Sequence, residues 1–399
     1  MKYEFKIPFF LAFRQITRGS KWTFFLIIFL MAASFINLVF VSSLFKGIIK
    51  GSNEQVINMH SGHIMIKPNS GKDVFENRDD LIEEIEKIPN IESATTQFEI
   101  GGNLALNEKS GNWIINAINP DEEVKVTKLF DSMISGEYLK SGDREGIILG
   151  KQIAGGDVAE LDAFSLHANV GDTIIANFNG VEKEFVVRGI FNSKYMTVDN
   201  TAFITYAGLE SIFPALVNQA NTALVRLIEP GEEQTAINQL KNAGIHGTFY
   251  TWEDAAGIMN SVTSSFLTID FILSFVATLI AAVTIFIVVY IDISNKRQQI
   301  GILRAIGVKP YIIRSAYVII SSIYSVIGVA VGAGLFFGII MPYFVAHPFV
   351  LPIVDATLAI EPGDFIFRME SIIIVSILVS LIPSFMITRI KLLNAIWGK

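Results

Sequence analysis

Cysteine is absent from all 399 residues, which removes disulfides, thiolate metal sites and cysteine nucleophiles together and leaves the redox compartment open. A phosphate loop is missing as well. In Gly146-Ile-Ile-Leu-Gly150-Lys151-Gln152 the glycines stand one residue too close, and Gln152 occupies the place of the Ser or Thr that would hold magnesium. His60 and His63 lie three apart with no Glu between them, so they read as two exposed histidines near the membrane in preference to a metal pair. No Ser, His and Asp can be assigned to a triad. These absences leave no catalytic, cofactor-binding or metal residue to name, and the chain reads as a non-enzyme. The most telling absence is of charge, from four long stretches.

Only 17% of residues are charged against 51% hydrophobic, and mean hydropathy is +0.48, too apolar for an ordinary soluble domain. Lys21 and Lys46 bracket 24 uncharged residues, and Asp270 and Asp292 bracket 21. A third run begins at Ser315 and stays helix-like to about Met341, where Pro342 is expected to break it. Glu370 and Arg389 bracket 18 more. A span needs about 20 apolar residues to cross roughly 30 Å of hydrocarbon. Three runs meet that easily, and the fourth is short but very apolar.

Lys and Arg set the orientation. The first 21 residues, the loop after the second span and the tail are basic, whereas Asp355, Glu361, Asp364 and Glu370 outnumber Arg368 between spans three and four. The net charge of −7 hides a division: residues 50–264 carry 31 acids and 16 bases, and the remainder 7 acids and 15 bases. An acidic exterior on a basic collar excludes nucleic acid as partner and suits anionic membrane lipid. The expectation is an integral membrane α-helical protein with four transmembrane helices and a large extracytoplasmic α+β domain inserted between helices 1 and 2. It lies in the cell (cytoplasmic) membrane with both termini inside. Its parts are a cytoplasmic amphipathic elbow helix (1–21), span 1 (22–46), an extracytoplasmic domain with stalk ends (47–264) and span 2 (265–291). A cytoplasmic coupling loop (292–314), span 3 (315–342), an outer loop (343–369), span 4 (370–390) and a cytoplasmic tail (391–399) follow.

Within 47–264, alternation and turn residues predict strands at His63–Lys67, Ser93–Phe98, Trp113–Ile118, Gly146–Leu149, Thr173–Phe178, Glu184–Phe191, Ala202–Thr205, Thr222–Ile228 and Gly247–Trp252. Helices are expected from Asp79 to Pro89-Asn90 and from Glu232 to Ala243, in a domain of two lobes. Ser52–Met59 and Ala255–Leu267 read as stalks that continue into the first two spans.

Two further stretches stand out. Lys296 to Gly307 forms a short basic amphipathic helix, with Arg297, Gly301 and Arg304 on one face and Ile302, Leu303 and Ile306 opposite. It suits equally a docking helix for a cytoplasmic partner and an anchor on lipid headgroups. Gly328, Gly332, Gly334 and Gly338 are spaced for close helix packing, within the chain or between copies. At the N-terminus Phe5, Phe9, Ala12 and Ile16 share a face opposite Arg14, Arg18 and Lys21.

The layout resembles the MacB-like permeases of ATP-binding-cassette transporters, and within them most the Lol-type lipoprotein-release permeases. Gln299 through Gly307, with Gly301, Leu303, Arg304 and Ala305 in register, is similar to the family's Glu-Ile-Gly-Ile-Leu-Arg-Ala-Leu-Gly signature. Ile134–Tyr138, Gly146–Ala154 and Val170–Thr173 resemble its exterior domain, and Lys391–Gly398 its tail. Asn295 and Gln299 depart from the pattern, standing where glutamates are usual. The resemblance implies that Lys296–Gly307 is a coupling helix docked on a separate cytoplasmic ABC ATPase, which alone would hold ATP and magnesium. It also implies a second permease copy, identical or paralogous, and export of a lipoprotein, a lipid or another substrate taken up outside, passed on to a carrier. A regulator of a cell-wall hydrolase, similar to FtsX, is the alternative. A membrane-anchored receptor would leave the basic helix unexplained.

Overall fold

The computed structural model describes residues 6–156, 165–216, 218–351 and 354–389. In chain order the elements begin α1 (Lys6–Arg18), α2 (Lys21–Val56), β1 (Ile64–Lys67), α3 (Arg78–Glu86), β2 (Ile91–Leu106), β3 (Lys109–Ile118) and α4 (Pro120–Val126). Then come β4 (Met133–Gly136), β5 (Gly146–Gly150), α5 (Lys151–Ala154), β6 (Thr173–Phe178), β7 (Val181–Phe191), α6 (Met196–Asp199), β8 (Thr201–Thr205), α7 (Tyr206–Ile212), β9 (Thr222–Leu227), α8 (Glu233–Asn242) and β10 (Thr248–Thr251). The chain continues with α9 (Trp252–Ala255), α10 (Ile258–Asn295), α11 (Arg297–Ala305), α12 (Pro310–Leu335), α13 (Met341–Ala346), the short strands β11 (Phe349–Val350) and β12 (Asp355–Ala356), and α14 (Pro362–Arg389). Two compact units result: one of residues 50–263 with 350–355, the other of the remaining helices.

The first unit is built on one ten-stranded sheet, in the order β10-β1-β9-β2-β3-β8-β5-β7-β4. Strand β6 pairs with both β2 and β7, so β2, β3, β8, β5, β7 and β6 form a closed circuit. Two lobes share β2. Its first half pairs with β9 between Ile91 and Gln97, and its far half pairs with β6 between Asn103 and Ala105. On one side β1, β2, β9 and β10 pair antiparallel in the order β10-β1-β9-β2, with α3 and α8 supplying Ile82, Ile85, Ala236, Ile237 and Leu240 to a core with Ile64, Ile66 and Val225. That is the split β-α-β topology with a barrel inserted between its second and third strands. On the other side Leu104, Ile115, Ile147, Leu149, Ile174, Phe185 and Ile204 are wholly buried inside the closed circuit. Alternation produces this, since every second residue of β6 and the end of β7 points inward. Truncating Phe185 to Ala would cost about 3–5 kcal/mol.

In the helical unit, α2, α10, α12 and α14 are long and apolar enough to cross a membrane. Their buried faces meet in two cores. Ile27, Met31, Ile285, Val289, Tyr317 and Tyr324 form one, together with Ala12 of α1 and Ile300 of α11. Phe35, Val39, Ala281, Val329, Phe336 and Ile372 form the other. Their outward faces are equally apolar: Phe29, Phe271, Phe275, Phe367 and Leu378 are each more than half exposed. Helices that are hydrophobic all round belong in lipid. The protein is a multi-pass membrane protein with a large β-rich outside domain between its first and second membrane helices.

Several expectations change. Pro342 does not end the third span, because a π turn over Phe336–Ile340 precedes it and helix resumes through Ala346. The wider turn supplies the slack that a proline without an N–H demands. The second stalk begins at Ile258, not Ala255: Gly257 takes φ +54 and separates α9, whose start is fixed by a Thr251–Asp254 capping box. On α1, Ala12 is buried while Phe9 is 60% exposed, so the two do not share a packed face. Phe5, residues 391–399 and the family-like tail Lys391–Gly398 lie outside the described residues.

Candidate functional site

Two places in the helical unit concentrate polar chemistry. The first is the turn from α10 through α11 to α12. Asp292 near the end of α10 pairs with Lys296 at 2.8 Å, one helical turn on. The last α11 turn is closed by Gly307 at φ +97, a conformation that disfavours any Cβ, and Pro310 at the first position of α12 starts the next helix. A short helix is thus set off sharply from both neighbours.

The face α11 presents is not the one its charges suggest. Ile300 and Gly301 are buried, and Leu303 packs at the edge of the core with Ile300. Arg297 and Arg304 are half-buried, and the Arg297 Nε is enclosed without a hydrogen-bond partner. Gln298, Ile302, Ala305 and Ile306 point outward, with Ile302 50% and Ile306 73% exposed. The expected apolar face is therefore the open one for two of its three members, and the Arg297–Gly301–Arg304 face is turned inward. Periodicity cannot distinguish these cases, because both faces of a nine-residue helix carry aliphatic residues. Gln299 is exposed beside the Arg14 and Arg18 of α1.

The second place lies toward the other end of the same helices. Arg368 of α14 donates to Ser274 at 2.8 Å and to Asp270 at 3.3 Å, both on α10, and to Ser42 on α2. Asp270 and Arg368 side chains are each only 13% exposed. Sequence alone puts Asp270 at a span end and Arg368 in a loop; here both sit within long helices and tie three of them together. Lys46 of α2 adds pairs to Glu361, at 3.0 Å, and to Asp364. Beside them residues 357–359 lie against α2, where Ala359 N–H donates to the Ser43 carbonyl at 3.0 Å. Gly47 permits that approach, since a Cβ there would collide with the Thr357 carbonyl.

The four glycines divide. A Cβ at Gly328 or Gly332 would meet Met31, Ala32 or Phe35 of α2, so these two seat the first membrane helix against the third. Gly334 and Gly338 face nothing within 4 Å.

In the outside unit the histidines are not a pair of exposed groups. His63 is 4% exposed and accepts the Leu227 N–H at Nδ1, 3.1 Å away. Burial first, then the Arg226 guanidinium, lowers its pKa, so the ring is neutral. Among the described residues no group of three His, Cys, Asp or Glu could hold a metal ion. Gly146–Ala154 is β5 running into α5, every residue buried in the fold.

These residues sit in a helical membrane unit and in an outside domain made of a split β-α-β lobe and a β-circuit. The chain belongs to the MacB-like family, whose periplasmic core domain matches residues 24–243, more than half of its length. The FtsX-like permease C-terminal domain matches residues 271–392. Among solved structures, the extracellular domain of the noncanonic ABC-type transporter YknZ from Gram-positive bacteria is similar at 14% identity and TM-score 0.35, over 47% of this chain and 97% of that one. The periplasmic region of MacB from Actinobacillus actinomycetemcomitans is similar at 15% identity and TM-score 0.35, over 50% and 94% of the two chains. No curated protein matches the sequence.

Proposed function

We propose that this chain is the transmembrane subunit of an ABC transporter that passes the motion of a separate cytoplasmic ATPase to its outside domain, moving a lipoprotein, a lipid or another substrate taken up outside the membrane. The observation that carries this reading is the continuity of α2 and α10. At 36 and 38 residues each is about 55 Å long, far more than the roughly 30 Å of hydrocarbon requires, and α10 leads directly into α11. The exposed Gln298–Ile302–Ala305–Ile306 face of α11 would meet the ATPase, on which ATP and magnesium sit. Both termini and α11 would be cytoplasmic, as the basic collar favours. A second copy, identical or paralogous, would complete the transporter. The Lol-type likeness favours a lipoprotein substrate and a carrier to receive it.

A tag at either end or at Lys309 should resist external protease in intact cells, while one at Asn179 is cleaved. Copurification of an ATPase whose turnover this chain raises should accompany it. External cleavage at Lys309 would refute the orientation, and an ATPase indifferent to this chain would refute the coupling.

The matched FtsX-like C-terminal domain supports a second reading, control of an extracellular cell-wall hydrolase without transport. An outside domain of more than 200 residues favours transport, because the regulatory type usually has a much smaller one.

A further inference from the structure

The inner collar contains a pocket that shares only Ile302 with the open face of α11. It has a volume of about 600 Å³ and opens between α1, α11 and α12. Arg14, Gln15 and Arg18 of α1 line one wall, Lys296 and Gln299 the facing one, and Tyr317 of α12 lies between them. That volume suits a small ligand or a headgroup.

Its polar groups converge on an anion. Arg14 and Arg18 are exposed, stand one helical turn apart and have no carboxylate partner among the described residues, so two guanidinium forks are available at one rim. Lys296 faces them with its charge already matched by Asp292. Tyr317 is the second, independent sign. It is 3% exposed, and its hydroxyl is hydrogen-bonded to the Gln15 side-chain amide at 2.9 Å. A hydroxyl that accepts from Gln15 can at the same time donate its own hydrogen to a phosphate oxygen in the pocket.

The surroundings select the source of that phosphate. On the flank of α1 beside the arginines, Phe9, Phe10 and Phe13 are 60, 60 and 69% exposed, and Arg14 lies over the Phe10 ring at 5.9 Å. Trp22, at the start of α2, is 80% exposed. Aromatic side chains so placed belong at the level where acyl chains give way to headgroups, with the guanidiniums just above them. A soluble phosphate ester would have no use for that apolar edge.

We propose that this pocket is a seat for an anionic phospholipid, its phosphodiester held by Arg14 and Arg18 and hydrogen-bonded by Tyr317. Only the assignment to the inner leaflet rests on the orientation proposed above; the seat itself does not. A lipid lodged there would lock α1 against α11 and α12.

The full chain, placed in nanodiscs of phosphatidylcholine with a minor fraction of phosphatidylglycerol and then extracted in detergent, provides the test. Lipid retained per chain is read by mass spectrometry, with no ATPase present, so failure of the coupling scheme leaves this result intact. Wild-type protein should retain phosphatidylglycerol well above its share of the mixture. Arg14→Gln with Arg18→Gln should reduce that by roughly tenfold or more, since two charge-assisted contacts are lost. Tyr317→Phe should reduce it several-fold with the charge unchanged, an effect that general collar electrostatics would not produce. Lys6→Gln with Lys21→Gln removes the same charge outside the pocket and should retain the lipid. Thermal unfolding of each variant checks that it is folded, and Arg14→Lys with Arg18→Lys should keep part of the binding if the double Gln change fails that check. Equal loss in the Lys6/Lys21 variant, or no preference for phosphatidylglycerol, would overturn the proposal. Displacement of the lipid by inorganic phosphate alone would show a site for soluble phosphate instead, and would overturn it too.

Discussion

Asp270 on α10 and Arg368 on α14 form an ion pair at 3.3 Å, each side chain 13% exposed, with Ser42 and Ser274 completing the hydrogen bonds. A charge enclosed this way is stable only while its partner remains. Arg368→Leu should therefore destabilise the detergent-purified protein by about 3–5 kcal/mol, and Asp270→Leu with Arg368→Leu together should recover much of that. Thermal unfolding of the three proteins measures it. A double variant as unstable as the single one would show that packing, not pairing, matters there.

Glu123 makes a pH prediction for the outside unit. It is 1% exposed, on α4, accepting from Gln97 at 2.9 Å, Thr127 at 3.0 Å and Thr95 at 3.4 Å. Burial raises its pKa to about 7 despite those three bonds. A carboxyl whose folded pKa exceeds its unfolded value binds its proton more tightly when folded. Stability is thus greatest below about pH 4.5 as far as this group is concerned, and falls as pH rises to about 7, by roughly 3 kcal/mol. Glu122 beside it is raised in the same direction, while neutral His63 acts oppositely, losing stability as pH falls through its ordinary range.

Glu123→Gln isolates the effect. The amide oxygen can still accept from Gln97 and Thr127, and its NH2 can donate to the Thr95 hydroxyl. Residues 50–263 expressed alone and exported should fold cooperatively, and the variant should unfold at a higher temperature than the parent at pH 8, with the gap closing toward pH 5. An equal gap at both values would contradict the assignment.

The glycines of the third membrane helix separate two roles. Gly328→Leu and Gly332→Leu should each lower the unfolding temperature markedly, since overpacking against Met31, Ala32 and Phe35 costs about 1–3 kcal/mol or more. Gly334→Leu and Gly338→Leu should leave the isolated chain nearly unchanged, and a loss of dimer without loss of stability would mark that pair as facing the second copy.

Where periodicity and turn chemistry act locally, the sequence is readable. Strand β6 spans Thr173–Phe178 in both readings, and α8 stops before Gly244 as its pattern requires. Strand β4, Met133–Gly136, escapes because four residues with one Gly show no alternation and depend on pairing with β7. The second pairing of β2, which closes the circuit, leaves no local trace. The same limit explains the candidate site. Clusters such as Lys296–Arg304 are visible as composition, but which face is open depends on packing against α12 and against α1, hundreds of residues earlier in sequence. Asp270 and Arg368 are 98 residues apart and join only after the helices pack.

Transmission of ATPase motion to the outside domain through the α11 contact, as proposed, can be measured directly. With no native cysteine to interfere, Ser110→Cys at the exposed start of β3 can take a single spin label. The dipolar distance between the labels of two copies, in a reconstituted complex with its ATPase, should shift between nucleotide-free and ATP-trapped states. Ile306→Glu, on the open face of α11 and outside the pocket, should leave the chain in the membrane and abolish the shift. A distance unchanged by ATP in the wild-type complex while ATP is hydrolysed would contradict the account.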